Sequence, residues 1–465
     1  MKRLNYIKIL FNSFFLFYLI LSIILSLNVG LIHDEAHHDL VWQTNKKIYS
    51  NYLFGSNSDV NFQDYPMNFY GIGFQIFSYP IEKIFNFIFS IFSIKIHPLL
   101  LKHPSIVILF FVSGIYFKKI LSIFNINKKY VYLSTVFYFL YPYLIGHSYF
   151  NQLDIPFMSV WLICTYYSLK ILKSFVEKDE LINKDFLILS ILTSFLLSIR
   201  ISGVLIFIQY FSLFLITIHT LKIDFLIFLK KIYKKVFLFL ICFIFFFYLL
   251  HPNFWNNPLL IIDSFKFASN HTQTVCTLTL GECMKTQDLP PTYIPIWLLF
   301  KLPIIILLGL ALFPLIEKKL FINKLNIIIL GSLILSVFSI IFSLIIFKIN
   351  MYDEIRQILF LIPIILIISL LSIYSFNKRI AFFSLSIFSL FFIFQNFKIY
   401  PYNYIWLNNL SSFSKVSGVF ELDYWGVSNK RIGNFLFENG YNNECIISNT
   451  NNRIDIFLNS KKKCF

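Results

Sequence analysis

Charge is what this sequence has least of. Only 14% of its 465 residues are Asp, Glu, Lys or Arg, against about a quarter in ordinary soluble chains. That shortage, with 57% hydrophobic residues and a mean hydropathy of +0.71, excludes a soluble multidomain protein. A disordered chain is excluded too, because it needs low hydrophobicity. The apolar runs lack the alternation of polar and apolar residues that an outer-membrane barrel shows. There is no internal repeat of roughly 20–50 residues and no inverted pair of halves, a lack that weakens a transporter reading. What remains is an all-α polytopic membrane protein.

Spans of roughly 20 apolar residues cross a bilayer. They are expected near 10–30, 104–117, 130–146, 155–170, 186–199, 201–218, 236–250, 294–315, 325–347, 358–375 and 380–396, about 11 transmembrane helices in all. The first run has no small-residue cleavage site and reads as a retained helix. The net charge of +17 invites a nucleic-acid partner, but the distribution of charge decides otherwise. With the amino terminus (Lys2, Arg3, Lys8) inside, about half of the 40 Lys and Arg crowd into short inner segments, among them Lys118, Lys119, Lys230 and Lys231. This is the positive-inside asymmetry of a chain in the cytoplasmic (inner) membrane, and no nucleic acid is implied. Most of the 23 Asp and Glu fall on the outer side, which puts the chemistry there.

One stretch decides the count. A single helix over 186–218 would be about 50 Å long at 1.5 Å per residue, against a hydrocarbon core of about 30 Å. Two short helices meeting near Arg200, Ser202 and Gly203 fit better. Arg200 then lies at or below the outer headgroups, where a cation needs an anion and a lipid phosphate is nearest.

The expected organisation is a multi-pass domain over 1–396, with outer loops at 31–103 and 251–293, and a small mixed periplasmic C-terminal region over 397–465. HDEAHHDLVWQTNKKIYSNYLF and NFYGIGFQIFSYPIEKIFNFIFSIF read as amphipathic helices on the membrane. Cys164 and Cys242 sit in apolar spans. Cys276 with Cys283, and Cys445 with Cys464, form two pairs on an oxidising face, each either a disulfide or free thiols.

Asp34 and Glu35 directly follow the first span. Adjacent carboxylates can divide labour, one accepting a proton from an attacking hydroxyl, the other orienting substrate or holding a metal; they can also be a polar cap on a helix end. The spacing of HDEAHHD matches no closed zinc site. Asp154, in GHSYFNQLDIPFMS, is a second candidate or a simple helix cap. Arg356, in NMYDEIRQILF, opens a span and either binds an anion or snorkels to headgroups. His251, Asn253 and Trp255 open the second outer loop, where a belt aromatic is the plain alternative.

These residues resemble the GT-C glycosyltransferases, the membrane enzymes that include protein O-mannosyltransferases and the lipid A aminoarabinose transferase. The likeness is strongest to a bacterial, family-39-like branch and spans roughly residues 31 to 435. Its pieces are GHxxxNxxDIPF (Gly146, His147, Asn151, Asp154, Ile155, Pro156, Phe157), IRxxG (Ile199, Arg200, Gly203), LPxxYIP (Leu289, Pro290, Tyr293, Ile294, Pro295) and FExDYWG (Phe420, Glu421, Asp423, Tyr424, Trp425, Gly426). It departs at Lys102-His103, Leu153 and Gln357, where Arg-His, Lys and His are expected. The resemblance implies inverting transfer of a sugar from a polyprenyl-phosphate donor to a lipid, glycan or protein acceptor. Asp34 would be the general base, Arg200, Arg356 and His103 would bind the donor phosphate, and Glu35 and Asp154 would position the acceptor or ligate a divalent metal ion if one is used. The alternatives are an O-antigen ligase or polymerase, a lipid-linked sugar transporter, or a non-catalytic scaffold.

Overall fold

In the computed structural model, residues 2–32, 34–56, 69–255, 257–269, 274–315, 323–413 and 416–441 are described, with Ile454 and Phe457 beyond them. The chain is built from helices: α1 (Lys2–Ser26), α2 (Asp34–Phe54), α3 (Gly73–Ile91), α4 (His103–Ile123), α5 (Lys128–Leu140), α6 (Pro142–Ser148), α7 (Asp154–Lys178), α8 (Asn183–Ile199) and α9 (Ile206–Leu221). They continue as α10 (Phe225–Leu249), α11 (Leu260–Ser269), α12 (Tyr293–Lys301), α13 (Ile304–Ala311), α14 (Lys324–Ile346), α15 (Ile362–Phe376), α16 (Lys378–Ile399) and α17 (Asn429–Glu438).

Among the described residues, seven helical stretches are long and apolar enough to cross a membrane: Pro98–Ile123, Asp154–Lys178, Ile201–Leu221, Phe225–Leu249, Lys324–Ile346, Arg356–Phe376 and Lys378–Ile399. An eighth results if α12 and α13, which meet at 118°, form one broken span. The eleven expected crossings divide accordingly. The stretch 130–146 is broken by Pro142, whose ring cannot continue the backbone ladder, into α5 of 13 residues and α6 of 7. The 186–199 run is α8, 17 residues long, and the first run contributes an apolar helix over Phe11–Ser26.

The packing follows burial. The Arg356–Phe376 stretch is the central helix, 94% buried over its apolar window, whereas Phe225–Leu249 is 6% buried and faces outward. A peripheral helix with apolar residues all round, such as α10 with Phe237, Ile244 and Phe245 exposed, suits hydrocarbon rather than water. The chain does break at Arg200: α8 ends at Ile199, Arg200 is extended (φ −147°, ψ 131°), and a 3-10 turn over Ile201–Leu205 leads into α9.

Both segments expected to be amphipathic within 31–103 are helices. α2 buries Glu35, His38, Trp42, Asn45 and Ile48 at helical spacing. α3 buries Gly73, Phe74, Gln75 and Ser78 near its start and exposes Ile84, Phe87 and Ile91 further on. Gly71 and Gly73 let this start lie against the end of α8: a Cβ on Gly71 would sit 1.9 Å from the Ser198 carbonyl oxygen.

In the segment over 251–293, strands β1 (Cys276–Thr279) and β2 (Glu282–Lys285) form an antiparallel hairpin, and a disulfide joins Cys276 to Cys283. Cys164 and Cys242 are free; Cys445 and Cys464 lie outside the described residues. The tail, expected as a mixed unit, is two 3-10 turns, α17 and one bridge from Phe420 to Thr279 among the described residues. Its Tyr404, Trp406, Phe420, Trp425 and Val427 belong to the same core as the spans.

Candidate functional site

The site forms around Asp154, at the amino end of α7. Asn151 shapes that end: its side-chain oxygen accepts the amides of Leu153 (3.2 Å) and Asp154 (2.8 Å), and its Nδ2 donates to Asp154 Oδ2 at 2.9 Å. Asn151 thus does the local capping, and the Asp154 carboxylate is free to face outward from the helix. Arg200 Nη1 donates to Asp154 Oδ1, and Arg356 Nη1 reaches Oδ2 at 3.5 Å. The Asp154 side chain is 1% exposed and that of Arg356 5%. A buried carboxylate is tolerated only with such partners, and here two guanidiniums from distant segments serve as its counter-ions. Arg356 does not snorkel. Its Nε and Nη2 lie 3.2 and 3.1 Å from Asp353 Oδ2, and its guanidinium carbon lies 4.8 Å from the centre of the Tyr352 ring and 4.4 Å from that of Trp425.

Arg200 is the more open cation, and it lines a cavity of about 140 Å³. Tyr70, Ser202, Tyr352 and Gln357 supply polar walls; Phe267, Leu344 and Phe360 supply apolar ones. A larger groove of about 310 Å³ between α7, α8, α9 and α10 has no charged residue in its lining.

Asp34, the first residue of α2, is half-buried and close enough to Tyr70, His38 and Asp353 for its charge to act on all three. A carboxylate in the first turn also suits the positive end of a helix. Burial pushes the Asp353 carboxyl up to about 6, against the pull of Arg356. Burial likewise pushes Glu354 up to about 7, opposed by Lys301.

Two of the expected site residues go elsewhere. Glu35 is fully buried; its Oε1 accepts the Ile32 amide at 3.1 Å and lies 3.1 Å from His103 Nε2. His103, also fully buried, donates from Nδ1 to the Ser26 carbonyl at 2.9 Å. Each is thus the other's partner in a buried pair. Lys102 is similarly held by Asp39 at 2.7 Å. Asp154, the other residue considered for a metal, is paired with the two arginines. Among the described residues no group of three His, Cys, Asp or Glu is arranged to hold a metal ion. His251 and Trp255 bond back to the end of α10, through Phe247 and Tyr248.

Sequence reasoning overlooked Asp353, Tyr352 and Tyr70, and it quoted Asn151 and Trp425 only as parts of motifs. The nearness of Asp353 to Arg356 in the sequence was the available signal. Trp425 carried none, because its partner is far along the chain.

The histidines give the site a pH signature. His147 is wedged among Tyr143, Phe150 and Tyr404, with Nδ1 accepting from Asn151 at 3.0 Å. Burial holds it at about 3, and His38 at about 4. Below pH ~6.5 the unfolded chain takes up protons at these imidazoles that the folded chain refuses, so stability falls as pH falls, by about 2 kcal/mol per imidazole at pH 5. Asp353 and Glu354 act the other way, because the folded chain keeps protons that the unfolded chain releases; their contribution is lost as pH rises through about 6 to 7. Thermal unfolding in detergent should therefore peak at mildly acidic to neutral pH. His147→Gln should flatten the acid limb; an unchanged limb would show that His147 titrates normally.

No protein-family model matches the chain, and no curated protein does.

Proposed function

We propose that this protein is a glycosyltransferase of the outer face of the cytoplasmic membrane, moving a sugar with inversion from a polyprenyl-phosphate donor to an acceptor hydroxyl. The observation that carries the reading is the pairing of Arg200 and Arg356 on one buried Asp154, beside a small cavity that Arg200 lines. A cation pair preset by a shared counter-ion needs little reorganisation when a phosphate arrives or departs. The topology behind this reading has the amino terminus cytoplasmic and the tail periplasmic, by the positive-inside asymmetry.

The donor's isoprenoid chain stays in the bilayer and its phosphate lies against the two guanidiniums, which suit phosphate oxygens by their forked geometry. The acceptor oxygen attacks the anomeric carbon from the face opposite the phosphate. As the carbon–oxygen bond to phosphate breaks, its electron pair and the resulting charge move onto the phosphate and are stabilised by Arg200 and Arg356. Asp34 takes the acceptor's proton. Asp154, on this account, holds the guanidiniums and touches neither sugar nor acceptor.

The test is transfer by purified protein in nanodiscs, supplied with labelled polyprenyl-monophosphate sugars, with mass spectrometry of surface glycolipids and glycoproteins in cells with and without the gene to identify the acceptor. Transfer only from polyprenyl-diphosphate glycans would indicate a ligase or polymerase, and movement of the lipid-linked sugar without transfer would indicate a transporter. Arg200→Lys keeps the charge and loses the fork, so affinity for a polyprenyl monophosphate should fall about tenfold. Unchanged affinity would remove Arg200 from phosphate binding.

A further inference from the structure

The connection over 347–355 carries two successive non-glycine residues in the left-handed region, Asp353 (φ 53°) and Glu354 (φ 64°). Side chains of the L series rarely adopt that conformation, and two in a row persist only where the surroundings over-determine them. The surroundings here come from three separate parts of the fold. The Asp353 amide donates to Thr277 Oγ1 of the disulfide-closed hairpin at 3.0 Å. The Tyr293 hydroxyl, from the start of α12, donates to the Glu354 carbonyl at 3.0 Å. Lys301, from the other end of α12, places Nζ 2.7 Å from Glu354 Oε1, with both side chains fully buried. Nζ also lies 4.6 Å from the centre of the Tyr143 ring and 5.6 Å from that of Trp297.

Stability alone does not account for this pair. Replacing a buried ion pair by apolar residues of similar volume is often neutral or stabilising, and the best-attested use of such a pair is to fix one arrangement among several. The arrangement fixed here is consequential, because Asp353 is the residue that grips Arg356.

We propose that Lys301 and Glu354 are a positioning pair. They lock the left-handed turn at 353–354 and so aim the Asp353–Arg356 unit at the anion-binding face beside Asp154. The positioning of the loop stands on the geometry alone; the identity of the anion as a donor phosphate rests on the functional reading above.

The experiment compares full-length wild type with the double variant Lys301→Met, Glu354→Leu, both in nanodiscs. The first readout is hydrogen exchange over residues 350–357. The second is binding of a polyprenyl monophosphate, with the parent polyprenol as reference. The double variant should melt within a few degrees of wild type, exchange at 350–357 about tenfold faster or more, and bind the phosphate lipid about tenfold more weakly. Arg356→Ala should weaken binding in the wild-type background and add little in the double variant, because its alignment is already lost. Unchanged exchange, with Arg356→Ala equally costly in both backgrounds, would overturn the proposal. Should the double variant fail to fold, Glu354→Gln keeps the shape, removes the charge and takes the same readouts. If wild type does not prefer the phosphate lipid over polyprenol, the donor reading fails, and the exchange measurement still decides the positioning role.

Discussion

Replacing Asp34 with Asn is expected to lower the proposed glycosyl transfer by about two to four orders of magnitude, the usual contribution of a positioned general base, while the protein stays folded in the membrane. The expectation of an intact fold comes from the position. Asp34 is half-buried at the first turn of α2, and its neighbour Glu35, not Asp34, ties that helix end to the core. Asn keeps the size and loses only the capacity to hold a proton. The measurement is single-turnover transfer by purified variant and wild type, with thermal unfolding as the control for folding. Near wild-type transfer by the Asn variant would exclude Asp34 as the base. A variant inactive and also unfolded would leave the comparison to Asp34→Glu, whose longer carboxylate should retain part of the rate if a base is required there.

A loss of about 3–5 kcal/mol is expected from His103→Ala, the penalty for stranding one member of a buried pair. The hydrogen bonds explain the size. His103 Nδ1 must donate, because the Ser26 carbonyl only accepts. A second proton therefore lies between Nε2 and Glu35 Oε1, and removing the imidazole leaves the carboxyl with the Ile32 amide as its remaining partner. Replacing both residues with Leu should restore part of the stability, since no side-chain polar group is then stranded and only the Ile32 amide and the Ser26 carbonyl lose these partners. Thermal or denaturant unfolding of the single and double variants in detergent decides this. A His103→Ala variant within about 1 kcal/mol of wild type would show that the two groups are not mutually dependent.

The different fates of Asp34 and Glu35 also mark where sequence reasoning stopped. Adjacent residues on a helix differ by about 100° in direction, so one of the two faces the site and the other faces the core. Which one does so depends on how α2 is rotated, and the partner that settles it, His103, is 68 positions away. Asp154 tells the same story. Its place at the start of a helix was readable from the Pro156 that follows and from the polar residues before it. Its role as a shared counter-ion was not, because its partners lie 46 and 202 positions away. The count of crossings was blurred for a different reason. Hydropathy sums over a window and is blind to a break such as the one at Pro142, or to the 118° bend between α12 and α13.

By itself, the sequence determined the medium. Scarce charge and long apolar runs admit only a bilayer, and the orientation proposed above rests on the crowding of Lys and Arg into short segments. It also determined that the helix must break near Arg200, because a continuous one would be too long for the hydrocarbon. Only the tertiary structure decided which buried charges face which. Hydrophobic burial is non-directional, whereas an ion pair or hydrogen bond in low dielectric depends on ångström-scale placement of groups that the chain brings together from far apart.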